Sequence, residues 1–103
     1  MKEIAFNGLT FAEAERLALL LEELGEAQQA IGKILRHGYE SIHPNGGPDN
    51  KENLEKEIGD VLLAIQLMTN NGDLSGFEIE GHKNDKRKKV AQYLHHQRRG
   101  CDD

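Results

Sequence analysis

Cysteine, tryptophan and proline are nearly missing from this sequence: one Cys, no Trp and two Pro, with three Phe and two Tyr as the whole aromatic complement of 103 residues. A lone Cys101 cannot close an intramolecular disulfide, which excludes a small scaffold stapled by bridges. No apolar run approaches the ~20 residues that cross a bilayer. MKEIAFNG at the start has neither the apolar core nor the cleavage site of a signal peptide, so a soluble cytoplasmic protein with no membrane partner is expected. The formal charge of −5 argues against general affinity for nucleic acid, which needs a net basic surface. KNDKRKK at 83–89 is a local exception, and its Lys88 and Lys89 read as a solvated face. With 37% hydrophobic and 30% charged residues, a single domain over 1–103 would have a thin core, so association between subunits is expected.

Helical punctuation occurs three times. Thr10 and Glu13 have capping-box spacing, and apolar residues then recur at Leu17, Leu20, Leu21, Leu24, Ile31 and Leu35 until Gly38, which predicts a helix of about 27 residues. HGYESIHPNGGP holds both prolines and reads as a loop. Asp49 and Glu52 form a second box, followed by Leu54, Ile58, Val61, Leu62, Ile65 and Met68 on one face of a helix closing near Gly72. Ser75 and Glu78 form a third, with Leu74 and Ile79 spaced as a hydrophobic staple, and predict a last helix reaching about Gln97. No stretch alternates with period two. The predicted class is all-α, three main helices per chain, with 98–103 a loose tail.

LLLEELGEAQQ at 19–29 is unusual for a buried helix. At about 100° per residue, Leu17, Leu20, Leu24, Ile31 and Leu35 share one arc, Glu23 lies at its edge and Glu26 roughly 60° further on. Glu22 points elsewhere. Leu19 and Ala30 flank the acidic side, so this helix needs partners on two sides, and Gly25 and Gly32 would admit another backbone closely. The second helix repeats the pattern: Glu57 falls among Ala64 and Met68, and Asp60 beside Leu67. Four carboxylates at one helical seam must take up protons or bind a cation. An all-oxygen set suits Mg²⁺ or Mn²⁺ rather than zinc.

EELGE at 22–26 followed by EIGDVL at 57–62 resembles the all-α nucleoside triphosphate pyrophosphatase superfamily, and within it the small MazG-like proteins, whose signature is ExxE on one helix and ExxD on the next. Glu23 and Glu26 match the first half, Glu57 and Asp60 the second, and the resemblance spans roughly residues 10 to 97. It implies Mg²⁺-dependent hydrolysis of a nucleoside triphosphate between the α and β phosphates, with these four residues as catalytic metal ligands. It also implies a four-helix-type core completed by a second subunit, as a homodimer or a dimer of dimers. Lys83 and Lys86, in the same arc as Ile79 and Val90, become candidates for the β and γ phosphates. Arg36, His37, Tyr39 and His43, in or beside the long loop, are candidate nucleotide contacts. His95 and His96 diverge by about 100° and do not converge on one ion. Two alternatives share the scaffold, a dimeric dUTPase and a phosphoribosyl-ATP pyrophosphatase. A third, a non-catalytic helical interaction module, belongs to another class.

Overall fold

The computed structural model describes residues 4–97, so the tail expected at 98–103 lies outside the described residues. The chain forms two compact units, Met1–Asp73 and Leu74–Asp103. The first opens with a hairpin in which β1 (Ile4–Phe6) pairs antiparallel with β2 (Leu9–Thr10). Asn7 and Gly8 turn it, both at positive φ, 50° and 77°, as a two-residue turn between right-twisted strands requires. The three main helices of the expected all-α class are present, and this short hairpin, outside that expectation, precedes them. The paired segments are too short to show alternation, and the Asn-Gly turn, rather than periodicity, is their signal.

Helix α1 spans Phe11–His37, as its punctuation predicts. The Thr10 hydroxyl accepts from the Glu13 backbone N–H at 3.1 Å, and the Glu13 carboxylate accepts from the Thr10 N–H at 2.7 Å. Gly38 ends the helix at φ 90°, its N–H donating to the Ile34 carbonyl. Helix α2 spans Asn50–Asn70 and opens with the matching Asp49–Glu52 box. Between them the loop is tied back to its own ends. Asn50 Nδ2 donates to the Gly38 carbonyl at 3.0 Å, the Asn50 and Lys51 amides donate to the Ser41 and Tyr39 carbonyls, and Ile42 bridges Asp49.

Arg16, early in α1, reaches Asp73 beyond the end of α2 through two parallel N–H to oxygen contacts of 2.5 and 2.9 Å. With Gly38 meeting Asn50 at the other end, α1 and α2 run antiparallel. Their seam is made of small and slender residues: Ala27 and Ala30 from α1, and Val61, Ala64 and Met68 from α2, with Ala64 and Met68 only 1% and 2% exposed. This reverses the expected order of burial. Ala30 packs inside the chain, whereas the leucine arc of α1 is left open, with Leu21 74% and Leu35 82% exposed and Leu62 of α2 at 59%. Short side chains let the two backbones approach, and the long ones turn outward. Nor does a backbone press on the α1 glycines: nothing lies within 4 Å of a Cβ built on Gly25, and at Gly32 there is only Arg36 Nη1 at 3.8 Å.

In the second unit α3 spans Gly76–Val90. Glu78 N–H donates to the Ser75 hydroxyl at 3.2 Å, the hydroxyl half of the expected box. The helix stops short of the predicted Gln97, and residues 91–97 form turns whose Gln92 and Tyr93 amides bond back three residues. None of its residues is buried.

The Arg16 hydrogen bonds and charge hold the Asp73 carboxyl below its ordinary value. Its contribution to stability is therefore complete above the unfolded value of about 4 and is lost as pH falls through the lower folded value. Melting temperature measured from pH 6 to pH 2 should show a steeper acid limb for wild type than for Arg16→Gln. Equal limbs would remove Asp73 as a source of the acid sensitivity.

Candidate metal centre and adjoining pocket

Two helical turns face each other across the alanine seam, and each carries two acids at i, i+3 spacing. Such spacing puts both side chains on one side of a helix. Because the backbones are close at Ala27, Ala30 and Ala64, the side chains of Glu23, Glu26, Glu57 and Asp60 converge. One carboxylate oxygen from each lies within 4.8 Å of the others, and all four residues are half-buried. Glu22, one position away, is exposed, as its direction on the helix predicts.

The cluster is short of hydrogen-bond donors. Glu23 Oε1 and Glu57 Oε1 are shut off from solvent with no hydrogen-bond partner among the described residues. Burial, reinforced by the charges of Glu26 and Asp60, pushes the Glu23 carboxyl above its ordinary value. Among the described residues the cation paired with the cluster is Lys56, whose Nζ lies 2.7 Å from Asp60 Oδ2 and 3.8 Å from Glu57 Oε1. The Asp60 hydrogen bond, with the negative charge of Asp60 and Glu57, raises the Lys56 pKa. One ammonium at the rim cannot compensate four crowded carboxylates, and two buried lone pairs stay unused. Hard oxygen donors at this spacing fit a divalent cation of the Mg²⁺ type.

Beside the carboxylates lies a recess of about 140 Å³ lined by Glu26, Gln29, Ala30, Lys33, Asn50, Asn53 and Glu57. Lys33, Asn50 and Asn53 also line a larger pocket of about 340 Å³ under the loop, with Arg36, His37, Ile42 and His43. Of the loop residues singled out by sequence, Arg36, His37 and His43 therefore border the pocket, whereas Tyr39 is exposed and does not line it. Lys83 and Lys86 lie on α3 of the second unit. Both are exposed, and Lys83 Nζ pairs with Glu80 at 3.4 Å. His95 and His96 lie in the turns after α3, outside the acidic cluster.

Lys33, Asn50, Asn53 and Lys56 escaped the sequence reading. The signal was available for each of them: Asn50, Asn53, Glu57 and Asp60 recur at spacings of three, four and three along one stripe of α2, and Lys33 stands seven residues after Glu26. Lys56 precedes Asp60 by four, the spacing at which opposite charges on a helix pair, and its Nζ is found there.

Removing one of the crowded charges should relieve the cation-free protein. Glu57→Gln is expected to melt above wild type in chelator, and to gain much less than wild type from millimolar Mn²⁺, because a ligand stabilises only the state that binds it. Thermal melts with and without metal test this; equal Mn²⁺ shifts in both proteins would remove Glu57 from the ligand set.

Comparison with curated proteins and with solved structures returns no match. The model of the MazG nucleotide pyrophosphohydrolase domain family, by contrast, matches residues 11–92, a span containing both acid pairs, all three helices and the pocket loop. The family is typically dependent on divalent metal, in keeping with the donor set just described. The chain therefore belongs to the MazG nucleotide pyrophosphohydrolase family.

Proposed function

We propose that this protein hydrolyses a nucleoside triphosphate between the α and β phosphates, giving the monophosphate and pyrophosphate, with Mg²⁺ or Mn²⁺ bound by Glu23, Glu26, Glu57 and Asp60. The observation that carries the reading is the convergence of those four carboxylates, two of them with buried unpartnered oxygens, in a chain of this family. When bound, the cation supplies charge neutralisation for phosphate oxygens and a more acidic water. The chain's own residues do the rest. The carboxylates fix the reacting end of the substrate, the amides of Gln29, Asn50 and Asn53 offer hydrogen bonds along the recess, and the loop pocket with Arg36, His37 and His43 accommodates sugar and base. No serine or cysteine lines the recess at Glu26 and Glu57. Water is then the nucleophile: its oxygen bonds to the α phosphorus while the bond from that phosphorus to the α–β bridging oxygen breaks, and pyrophosphate leaves with that oxygen. Lys83 and Lys86 are assigned to the outer phosphates.

The test is a panel of canonical and modified nucleotides, dUTP and phosphoribosyl-ATP included, with Mg²⁺, Mn²⁺ or chelator, read as pyrophosphate and monophosphate released. Metal-dependent release is expected, with a preferred member that separates general nucleotide-pool control from a dUTPase or a phosphoribosyl-ATP pyrophosphatase. Glu57→Gln, Glu26→Gln and Asp60→Asn should each lose about 100-fold or more while remaining folded, whereas Glu22→Gln should lose little. Full activity in Glu57→Gln would defeat the metal assignment. Absence of release with every substrate would favour the interaction-module alternative.

The open leucine arc supports a homodimer, or a dimer of dimers, as part of this reading. Leu21, Leu35 and Leu62 put large apolar side chains in water, and a second copy offers a matching apolar surface. Light scattering at micromolar concentration should report at least twice the chain mass; a compact, active monomer would contradict this.

A further inference from the structure

A nucleoside triphosphate brings several negative charges to a site already holding four carboxylates, so a cation belonging to the chain should lie along its path. Lys56 is engaged, with Nζ on Asp60 and Glu57. Lys33 is free: among the described residues it forms no ion pair. It borders the recess at Glu26 and Glu57, the loop pocket at Arg36 and His37, and a groove along α1 formed with Gly25, Gln28 and Gly32. It is the one cationic residue lining the recess. Helix geometry explains why. Lys33 follows Glu26 by two turns, about 10 Å along the axis and within ~20° in direction, and helical side chains lean toward the N-terminus, here toward the acids.

We propose that Lys33 binds the α phosphate, the one that is attacked, and thereby acts as a further catalytic residue. This rests on the pyrophosphohydrolase reading given above. With the base in the loop pocket and the reacting bond at the carboxylates, the phosphate passing Lys33 is the one attached to the sugar. Its non-bridging oxygens carry the charge that is redistributed as water adds and pyrophosphate departs, so an ammonium placed there acts more on the transition state than on the bound substrate. The assignment also separates Lys33 from Lys83 and Lys86. A contact to the α phosphate is kept with the monophosphate product, whereas contacts to the outer phosphates are kept with pyrophosphate.

Lys33→Met retains the aliphatic stem and deletes the charge. Its kcat should fall on the order of 10- to 1000-fold, with Lys33→Arg recovering part of the loss. Inhibition by the nucleoside monophosphate product should weaken about tenfold, inhibition by pyrophosphate should not change, and Mn²⁺ affinity measured by calorimetry without nucleotide should stay that of wild type. An unchanged melting temperature shows that Lys33→Met folds, and Lys33→Arg carries the comparison if it does not. Normal turnover and normal monophosphate inhibition in Lys33→Met, beside an active wild type, would overturn this inference alone. So would a loss confined to pyrophosphate inhibition, or one carried by Lys83→Met or Lys86→Met instead. A wild type that neither releases pyrophosphate from any nucleotide nor binds a monophosphate would overturn the underlying reading and this inference together.

Discussion

Close approach of α1 and α2 is the constraint from which the rest of the structure follows. Alanines at 27, 30 and 64 let the two backbones meet, and that short separation brings two i, i+3 acid pairs within reach of one another. Larger residues in the seam would bury more apolar surface and stabilise the pair more strongly. They would also part the carboxylates. The narrow seam thus trades core volume for a focused negative site, and it is accompanied by an open leucine arc on α1, no large side chain fully buried among the described residues, and oxygens of Glu23 and Glu57 without hydrogen bonds. The ends of the pair are held by polar contacts instead. Arg16 grips Asp73 at one end, and Asn50 holds the Gly38 carbonyl at the other.

Much of this is written in the sequence because it is local. Capping boxes depend on residues three apart, so the starts of α1 and α2 are readable from Thr10, Glu13, Asp49 and Glu52 and are formed as expected. The acid pairs are readable for the same reason: i, i+3 spacing fixes a common direction on each helix, whatever the helices pack against. What could not be read was the choice between two apolar sides. The leucine arc has the larger hydrophobic content, and periodicity alone nominates it for the core. The alanine side wins within the chain because helices pack by shape as well as by transfer energy, and shape emerges only when both surfaces are present.

The departures from expectation at the chain's two ends differ in kind. The β1–β2 hairpin is too short for a period to register, and its mark is the single Asn-Gly pair at 7–8. Helix α3 ends at Val90, short of the expected Gln97, and the residues after it turn back through the Gln92 and Tyr93 amides. Lys56 is a different case, a residue legible by the same local rule and passed over: it precedes Asp60 by four residues on α2, where opposite charges meet on one helix face.

The tie between Asn50 and the Gly38 carbonyl also separates two properties that a single site would ordinarily couple. The loop is anchored where it leaves α1 and where it enters α2, by backbone bonds at Tyr39 and Ser41 and by the Asp49 cap, so the side chains at 40–48 are largely free of that duty. The acids answer to the seam, and Ser41, Ile42 and His43 of the pocket wall answer to the loop, while Lys33, Asn50 and Asn53 belong to both. Under the proposed function, changes at those three loop positions would reshape the pocket without moving the carboxylates.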